Sequence, residues 1–222
     1  MKVEVRGLYA VTPDIEDTAE LLAKVEAALA GGARLLQYRN KRADAERRRV
    51  QARSLAALAR EHGVPLIIND QLELALEIAA DGVHLGAADG PLAAARARLG
   101  ERRLLGASCY DRVEAALEAE RAGASYVAFG SFFPSAVKPG AVRAPLALLA
   151  EAKRRLRVPV VAIGGITPEN APQLIAAGAD SVAVISALFE APDIRAAARR
   201  FSALFADGKR QSGDGNQGCS NE

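Results

Sequence analysis

Cysteine is nearly absent from this chain: of 222 residues only Cys109 and Cys219 carry a thiol. One falls in a β-rich run and the other in a polar terminal stretch, so no disulfide framework is available and a reducing compartment is indicated. Long apolar runs are missing too. No stretch of about 18 apolar residues occurs, which argues against a membrane-spanning helix. The opening "MKVEVRGLYAV" lacks an apolar segment of signal-peptide length. Charge of one sign is nowhere concentrated: 29 Lys and Arg are interspersed with 27 Asp and Glu, for a net +2. That leaves no basic stripe of the kind a nucleic-acid binder presents. The expectation is a cytoplasmic protein with no nucleic-acid and no membrane partner; whether it forms a homo-oligomer is left open.

What the chain does have is alternation. Half of its residues are apolar, enough for a sizeable core. Short β-rich runs occur at 8–12, 34–39, 65–69, 82–86, 104–109, 126–131, 159–165 and 181–186, separated by Ala/Leu/Glu/Arg-rich segments with helical spacing. In the first such segment Asp17 is placed to cap, Glu20 stands three residues on, and Gly31-Gly32 ends the helix. Leu21, Leu22, Val25, Ala28 and Leu29 form its apolar face. "TPEN" places Thr167 at a cap and Pro168 in the first turn, and a last helix is expected from about Asp193 to Phe205. Eight strands alternating with eight helices predict a single-domain (β/α)8 TIM barrel over 1–206. The polar, glycine-rich residues 207–222 read as a disordered tail. The runner-up is a doubly wound open sheet, against which no "GxGxxG" follows an early strand.

A barrel concentrates its chemistry where strands end and βα loops begin, and the polar residues here are lopsided in that direction. Gln37, Arg39 and Lys41 follow strand 2, in "LLQYRNK"; Asn69 and Asp70 follow strand 3, and Asp89 follows strand 4. Ser108 ends strand 5, Ser135 and Lys138 follow strand 6, Gly164-Gly165 end strand 7 and Ser186 ends strand 8. Arg39 offers a planar fork and Lys41 a mobile point charge, both suited to phosphate oxygens; pairing with a rim carboxylate is the structural alternative. Asp70 and Asp89 sit on consecutive connections and could share a Mg2+ ion, which takes one or two carboxylates and completes its shell with water and phosphate. Both also stand where an N-cap would stand, before "QLELALEIAA" and "PLAAARARLG".

Summed, Arg39, Lys41 and Lys138 against Asp70 and Asp89 leave +1. One Mg2+ brings this near the charge opposite to a diphosphate, which is about −3. Gly164 and Gly165 would let backbone N–H groups approach a second phosphate; a positive-φ turn would account for one glycine, less easily for two. Two anion sites across one mouth imply two phosphorylated small-molecule substrates. His84, inside a strand, reads as a neutral structural histidine. Tyr9 and Tyr126 could stack on a heterocycle or belong to the core.

In combination, "LLQYRNK", "LIIND", "AADGVHLGAADG", "LLGASC", "YVAFGSFFPSAVKPG" and "VVAIGGIT" resemble the thiamine-phosphate synthase (thiamine-phosphate pyrophosphorylase) family, over nearly all of the chain except the tail. The resemblance implies a TIM barrel that joins 4-amino-2-methyl-5-hydroxymethylpyrimidine diphosphate to 4-methyl-5-(2-hydroxyethyl)thiazole phosphate, giving thiamine phosphate and diphosphate with Mg2+. It implies that Gln37, Tyr38, Arg39, Asn40, Lys41 and Asn69 hold the pyrimidine diphosphate and that Asp70 and Asp89 bind the metal. Ser108 and Lys138 would also meet that substrate, and Arg39, Lys41, Ser108 and Lys138 would carry catalysis. Ser135, Ala136, Val137, Gly165, Ile185 and Ser186 would meet the thiazole phosphate. The family reaction is dissociative and needs no protein nucleophile. Two departures stand out: "PSAVK" replaces the usual "PTxTK", so Val137 has no hydroxyl, and "GAAD" replaces "GQED" at Ala87. A thiazole tautomerase is one alternative, although it has no use for the Arg39, Lys41, Asp70 and Asp89 set. A non-catalytic thiamine-phosphate-binding relative is the other.

Overall fold

The computed structural model describes residues 4–134 and 143–206. In chain order the elements are β1 (Gly7–Val11), α1 (Thr18–Ala30), β2 (Leu35–Tyr38), α2 (Ala45–Glu61), β3 (Leu66–Asn69), α3 (Leu72–Glu77), β4 (Gly82–Leu85), α4 (Leu92–Leu99) and β5 (Leu104–Tyr110). They continue with α5 (Val113–Arg121), β6 (Tyr126–Phe129), α6 (Ala147–Arg155), β7 (Val160–Ile163), α7 (Ala171–Ala176), β8 (Ser181–Val184), α8 (Ser186–Phe189) and α9 (Ile194–Ala203). The eight strands pair in parallel with their sequence neighbours and close, β8 against β1. The open-sheet alternative is thereby excluded. At the closing seam the Ser181 hydroxyl donates to the Gly7 carbonyl at 2.8 Å, and the Gly7 N–H to the Asp180 carbonyl at 3.1 Å.

Parallel strands covered on both faces should be apolar throughout, and nearly every strand residue is buried. The side chains sort by parity. Tyr9, Val11, Leu35, Ile67, Leu104, Tyr126 and Val161 fill the barrel interior. Leu8, Ala10, Leu36, Ile68, Val83, Val127 and Val182 pack outward against the helices. Each fully buried Leu or Val contributes about 1.5–3 kcal/mol, so these two layers supply most of the stabilisation.

Helix α1 forms as its residues predict. The Asp17 carboxylate accepts from the Glu20 N–H at 2.7 Å, and Leu21, Val25, Ala28 and Leu29 are its buried face. The following turn lies so close to α9 that a Cβ on Gly31 would stand 2.6 Å from the Arg195 carbonyl, which is why a glycine is needed there. Two helix expectations need correction. After β8 the chain makes two helices, the four-residue α8 and then α9, so the described residues hold nine rather than eight. Thr167 does not cap α7, which starts only at Ala171 with Asn170 at its N-cap. Instead the Asn170 side chain accepts from the Thr167 N–H at 2.8 Å and donates to the Gly165 carbonyl at 3.0 Å, closing a separate turn before the helix.

At the N-terminal end of the barrel the carboxylates serve the backbone: Asp81 accepts from the Leu66 N–H and Asp180 from the Val160 N–H. The expected disordered tail falls on 207–222, outside the described residues. No helix among the described residues is long and apolar enough to cross a membrane.

Candidate active site

The two cations of "LLQYRNK" are placed by a residue on another strand's loop. Thr12, fully buried after β1, both donates to the Arg39 carbonyl at 2.8 Å and accepts from the Arg39 N–H at 2.9 Å. Two residues on, the Asp14 carboxylate meets the Arg39 guanidinium at 3.1 Å and accepts from the Lys41 N–H at 2.8 Å. Arg39 is therefore already ion-paired, and the charge balance drawn from sequence omitted this acid. A compensating cation was missed as well: Arg48, on α2, lines the same cavity as Lys41. The "VTPD" loop was the available signal for Asp14; Arg48 lies mid-helix, where nothing local marks it.

Tyr38 and Asn40, of the opposite parity to Arg39 and Lys41, also line the cavity of Lys41 and Arg48; the Tyr38 side chain is anchored on α2. Its hydroxyl donates to the Gln51 side chain at 2.8 Å, and the Asn40 amide donates to the same oxygen at 3.1 Å and to the Ile15 carbonyl at 2.8 Å. Burial pushes the Tyr38 phenol up to about 12. These two side chains tie β2 to α2 and shape the loop that carries Lys41.

Asp70 and Asp89 are brought together, and neither caps a helix. The N-cap of α3 is Gln71 and that of α4 is Pro91, both without a side-chain bond. Asp70 sits at φ 61°, in the left-handed region that aspartate tolerates better than most residues, and its N–H donates to the His84 carbonyl at 2.9 Å. Asp89 closes a turn back on Gly86, accepting its N–H at 2.7 Å; Ala87 lies within that turn. Burial raises the Asp70 carboxyl above the usual carboxylate range, and the neighbouring Asp89 raises it further, while Lys41 and Asn69 pull it down. Lys41, Asn69, Asp70 and Arg48 line one cavity of about 250 Å3. Among the described residues no three His, Cys, Asp or Glu side chains cluster as a complete metal cage. Two repelling carboxylates with no third ligand fit an ion that keeps waters and takes phosphate oxygens.

Below the mouth a row of hydrogen bonds crosses the barrel. Gln37 Nε2 donates to the Tyr9 hydroxyl at 2.8 Å, the Tyr9 and Tyr126 hydroxyls lie 2.7 Å apart, and Tyr126 meets His84 Nδ1 at 3.1 Å. His84 Nε2 reaches the Ser108 hydroxyl at 2.9 Å. The His84 and Tyr126 rings stack at 5.6 Å. Burial pushes the imidazole down to about 4, holding it neutral. Both tyrosines are core residues by burial, yet their hydroxyls link two residues assigned to the substrate. That link is visible only when the strands are closed into a barrel.

A second cavity, also about 250 Å3, is lined by Gly165, Thr167, Ile185 and Ser186 among others. Gly164 and Gly165 have φ of 103° and 63°, and a Cβ on either would run into the 131–134 segment. Turn geometry and packing thus require both glycines. The residues assigned to the loop beyond it, Ser135, Ala136, Val137 and Lys138, lie outside the described residues.

A family model described as thiamine monophosphate synthase matches residues 8–188. That match runs from β1 into α8. The chain belongs to the thiamine monophosphate synthase family. Among relatives, it is 56% identical over 209 residues to the thiamine-phosphate synthase of Nitrosospira multiformis, covering 94% of this chain and 88% of that one. It is 59% identical over 206 residues to the thiamine-phosphate synthase of an Azoarcus species, covering 93% and 100%. The solved thiamine phosphate pyrophosphorylase from Pyrococcus furiosus superposes with a TM-score of 0.81 at 34% identity, covering 90% of this chain and 96% of that one. In this fold Asp70 and Asp89 follow β3 and β4, Lys41 follows β2, and the second cavity lies at the ends of β7 and β8.

Proposed function

We propose that this chain joins 4-amino-2-methyl-5-hydroxymethylpyrimidine diphosphate to 4-methyl-5-(2-hydroxyethyl)thiazole phosphate, releasing diphosphate and forming thiamine phosphate. The observation that carries this reading is the Asp70–Asp89 pair, with Asp70 in one cavity with Lys41 and Asn69, in a chain of this family. The pyrimidine diphosphate occupies the Lys41 side of the mouth and the thiazole phosphate the cavity of Gly165, Ile185 and Ser186; residues 135–137 are also assigned to the thiazole phosphate. Asp70 and Asp89 hold Mg2+. When bound, that ion supplies positive charge to the departing diphosphate oxygens.

The protein's own part is electrostatics and positioning. Lys41 serves the leaving group and Arg48 adds a cation to the same wall; Lys138 is the third cation assigned to it. Arg39 is held by Asp14 at 3.1 Å, so it reaches its position before the substrate arrives. Gln37 contacts the pyrimidine and Ser108 its diphosphate. The carbon–oxygen bond to the diphosphate breaks first, the aminopyrimidine disperses the cation left on its methylene, and the thiazole nitrogen attacks that carbon. No side chain is required to bond to the substrate. Purified protein given both substrates and Mg2+ is expected to yield thiamine phosphate and diphosphate in equal amounts. A folded protein that yields neither would overturn the reading.

A further inference from the structure

The hydrogen bonds across the barrel interior have a direction. Gln37 Nε2 can only donate, so the Tyr9 oxygen it meets at 2.8 Å accepts. Tyr9 must then spend its own proton on the Tyr126 oxygen, 2.7 Å away. Tyr126 in turn donates to His84 Nδ1 at 3.1 Å, which places the single proton of a neutral, buried imidazole on Nε2. That N–H donates to Ser108 Oγ at 2.9 Å, and the serine proton is left without a partner among the described residues. At the other end, the Gln37 side-chain oxygen Oε1 also has no partner among them, and no described side-chain oxygen or nitrogen is both fully buried and unpaired. Neither free end is therefore fully enclosed: Ser108 is half-buried and the unpaired Gln37 oxygen is not fully buried.

We propose that this chain of five side chains runs one way, from Gln37 to Ser108, and so presets Gln37 as an acceptor and Ser108 as a donor toward the ligand. Tyr9, Tyr126 and His84 are then positioning residues, acting only through the two ends. The inference deepens the proposed function and rests on it for the identity of the ligand. A carbonyl with a remaining N–H complements an amino group beside a ring nitrogen, and a hydroxyl proton complements a phosphate oxygen. Turning the Gln37 amide end for end would reverse every bond, move the imidazole proton to Nδ1, and set donor against donor at the amine and lone pair against anion at the phosphate.

Directionality can be read without substrate. The chain has two histidines, and His62 is exposed at the end of α2, so nitrogen NMR of labelled protein, assigned with His62→Gln, isolates His84. The expected spectrum shows protonated Nε2 and unprotonated Nδ1. A proton on Nδ1, or on both nitrogens, overturns the proposal. The functional half is tested with Tyr9→Phe, which frees the Gln37 amide. The KM for the pyrimidine diphosphate should rise about tenfold, the loss of roughly one oriented hydrogen bond, with the KM for the thiazole phosphate unchanged. Equal changes in both constants, or none, would reduce Tyr9 to a packing residue and overturn the presetting role. If Tyr9→Phe fails to fold, Tyr126→Phe serves: it removes the donor to Nδ1, and a His84 proton still confined to Nε2 would overturn the chain. A wild-type protein that couples nothing would remove the proposed function and leave the NMR result to decide the direction.

Discussion

His84 should make this protein acid-sensitive, by an amount the structure sets. The imidazole lies between the Tyr126 and Ser108 hydroxyls, with Asp89 the acidic neighbour that opposes the effect of burial. Its folded value is lowered from 6.5 to about 4. A lowered value means that the unfolded chain takes up the proton first, so stability is complete above pH 6.5 and is lost as pH falls toward 4. At about 1.4 kcal/mol per tenfold change in proton affinity the full loss is about 3 kcal/mol, with about 2 kcal/mol gone by pH 5. The comparison is wild type against His84→Gln, because glutamine can still accept from Tyr126 and donate to Ser108 but does not titrate. Urea unfolding of both proteins at pH 7 and pH 5, without divalent cations, gives the difference. Carboxylates common to both cancel, including Asp70, whose raised value acts in the opposite direction. Wild type should lose about 2 kcal/mol more than the variant. Parallel losses would refute the reasoning, since they would mean that His84 does not change its proton count on unfolding.

Three further outcomes follow from the same site. Asp70→Asn removes a carboxylate disfavoured by burial and by Asp89, so the metal-free protein should melt at a higher temperature while coupling slows about 100-fold or more; a lowered melting temperature would contradict the assigned repulsion. Gly106→Ala would place a Cβ against the Tyr126 ring and His84 Nδ1, and denaturant titration should register about 1–3 kcal/mol of overpacking; a neutral change would mean the two rings have room to move. Thr12→Val strips the Arg39 backbone of both its bonds. It should lower stability by about 1–3 kcal/mol and raise the KM for the pyrimidine diphosphate in steady-state kinetics; unchanged values in both would show that Asp14 suffices to place Arg39.

Much of this molecule was legible before folding because its signals are local. A parallel strand buried on both faces is a short apolar run, and the α1 cap is a carboxylate three residues before the N–H it accepts. Asp70 and Asp89 were ambiguous, since the loop position that suits a metal ligand also suits a cap. The φ of Asp70 and the turn back from Asp89 to Gly86 removed the capping choice. Gly164 and Gly165 show the reverse: the pattern suggested a ligand, while the crowding against residues 131–134 supplies a packing reason that no local rule contains.

By itself, then, the order of residues determined the alternating elements, the polarity of the strand ends and the motifs that mark the family, each readable within a span of about ten residues. Only closure of the barrel decided which side chains meet across it. Tyr9 and Tyr126 stand 117 residues apart and share a hydrogen bond, and Asp14 reaches Arg39 across 25. Such contacts depend on strand tilt and register around the whole circle, so they appear only when the eighth strand returns to the first.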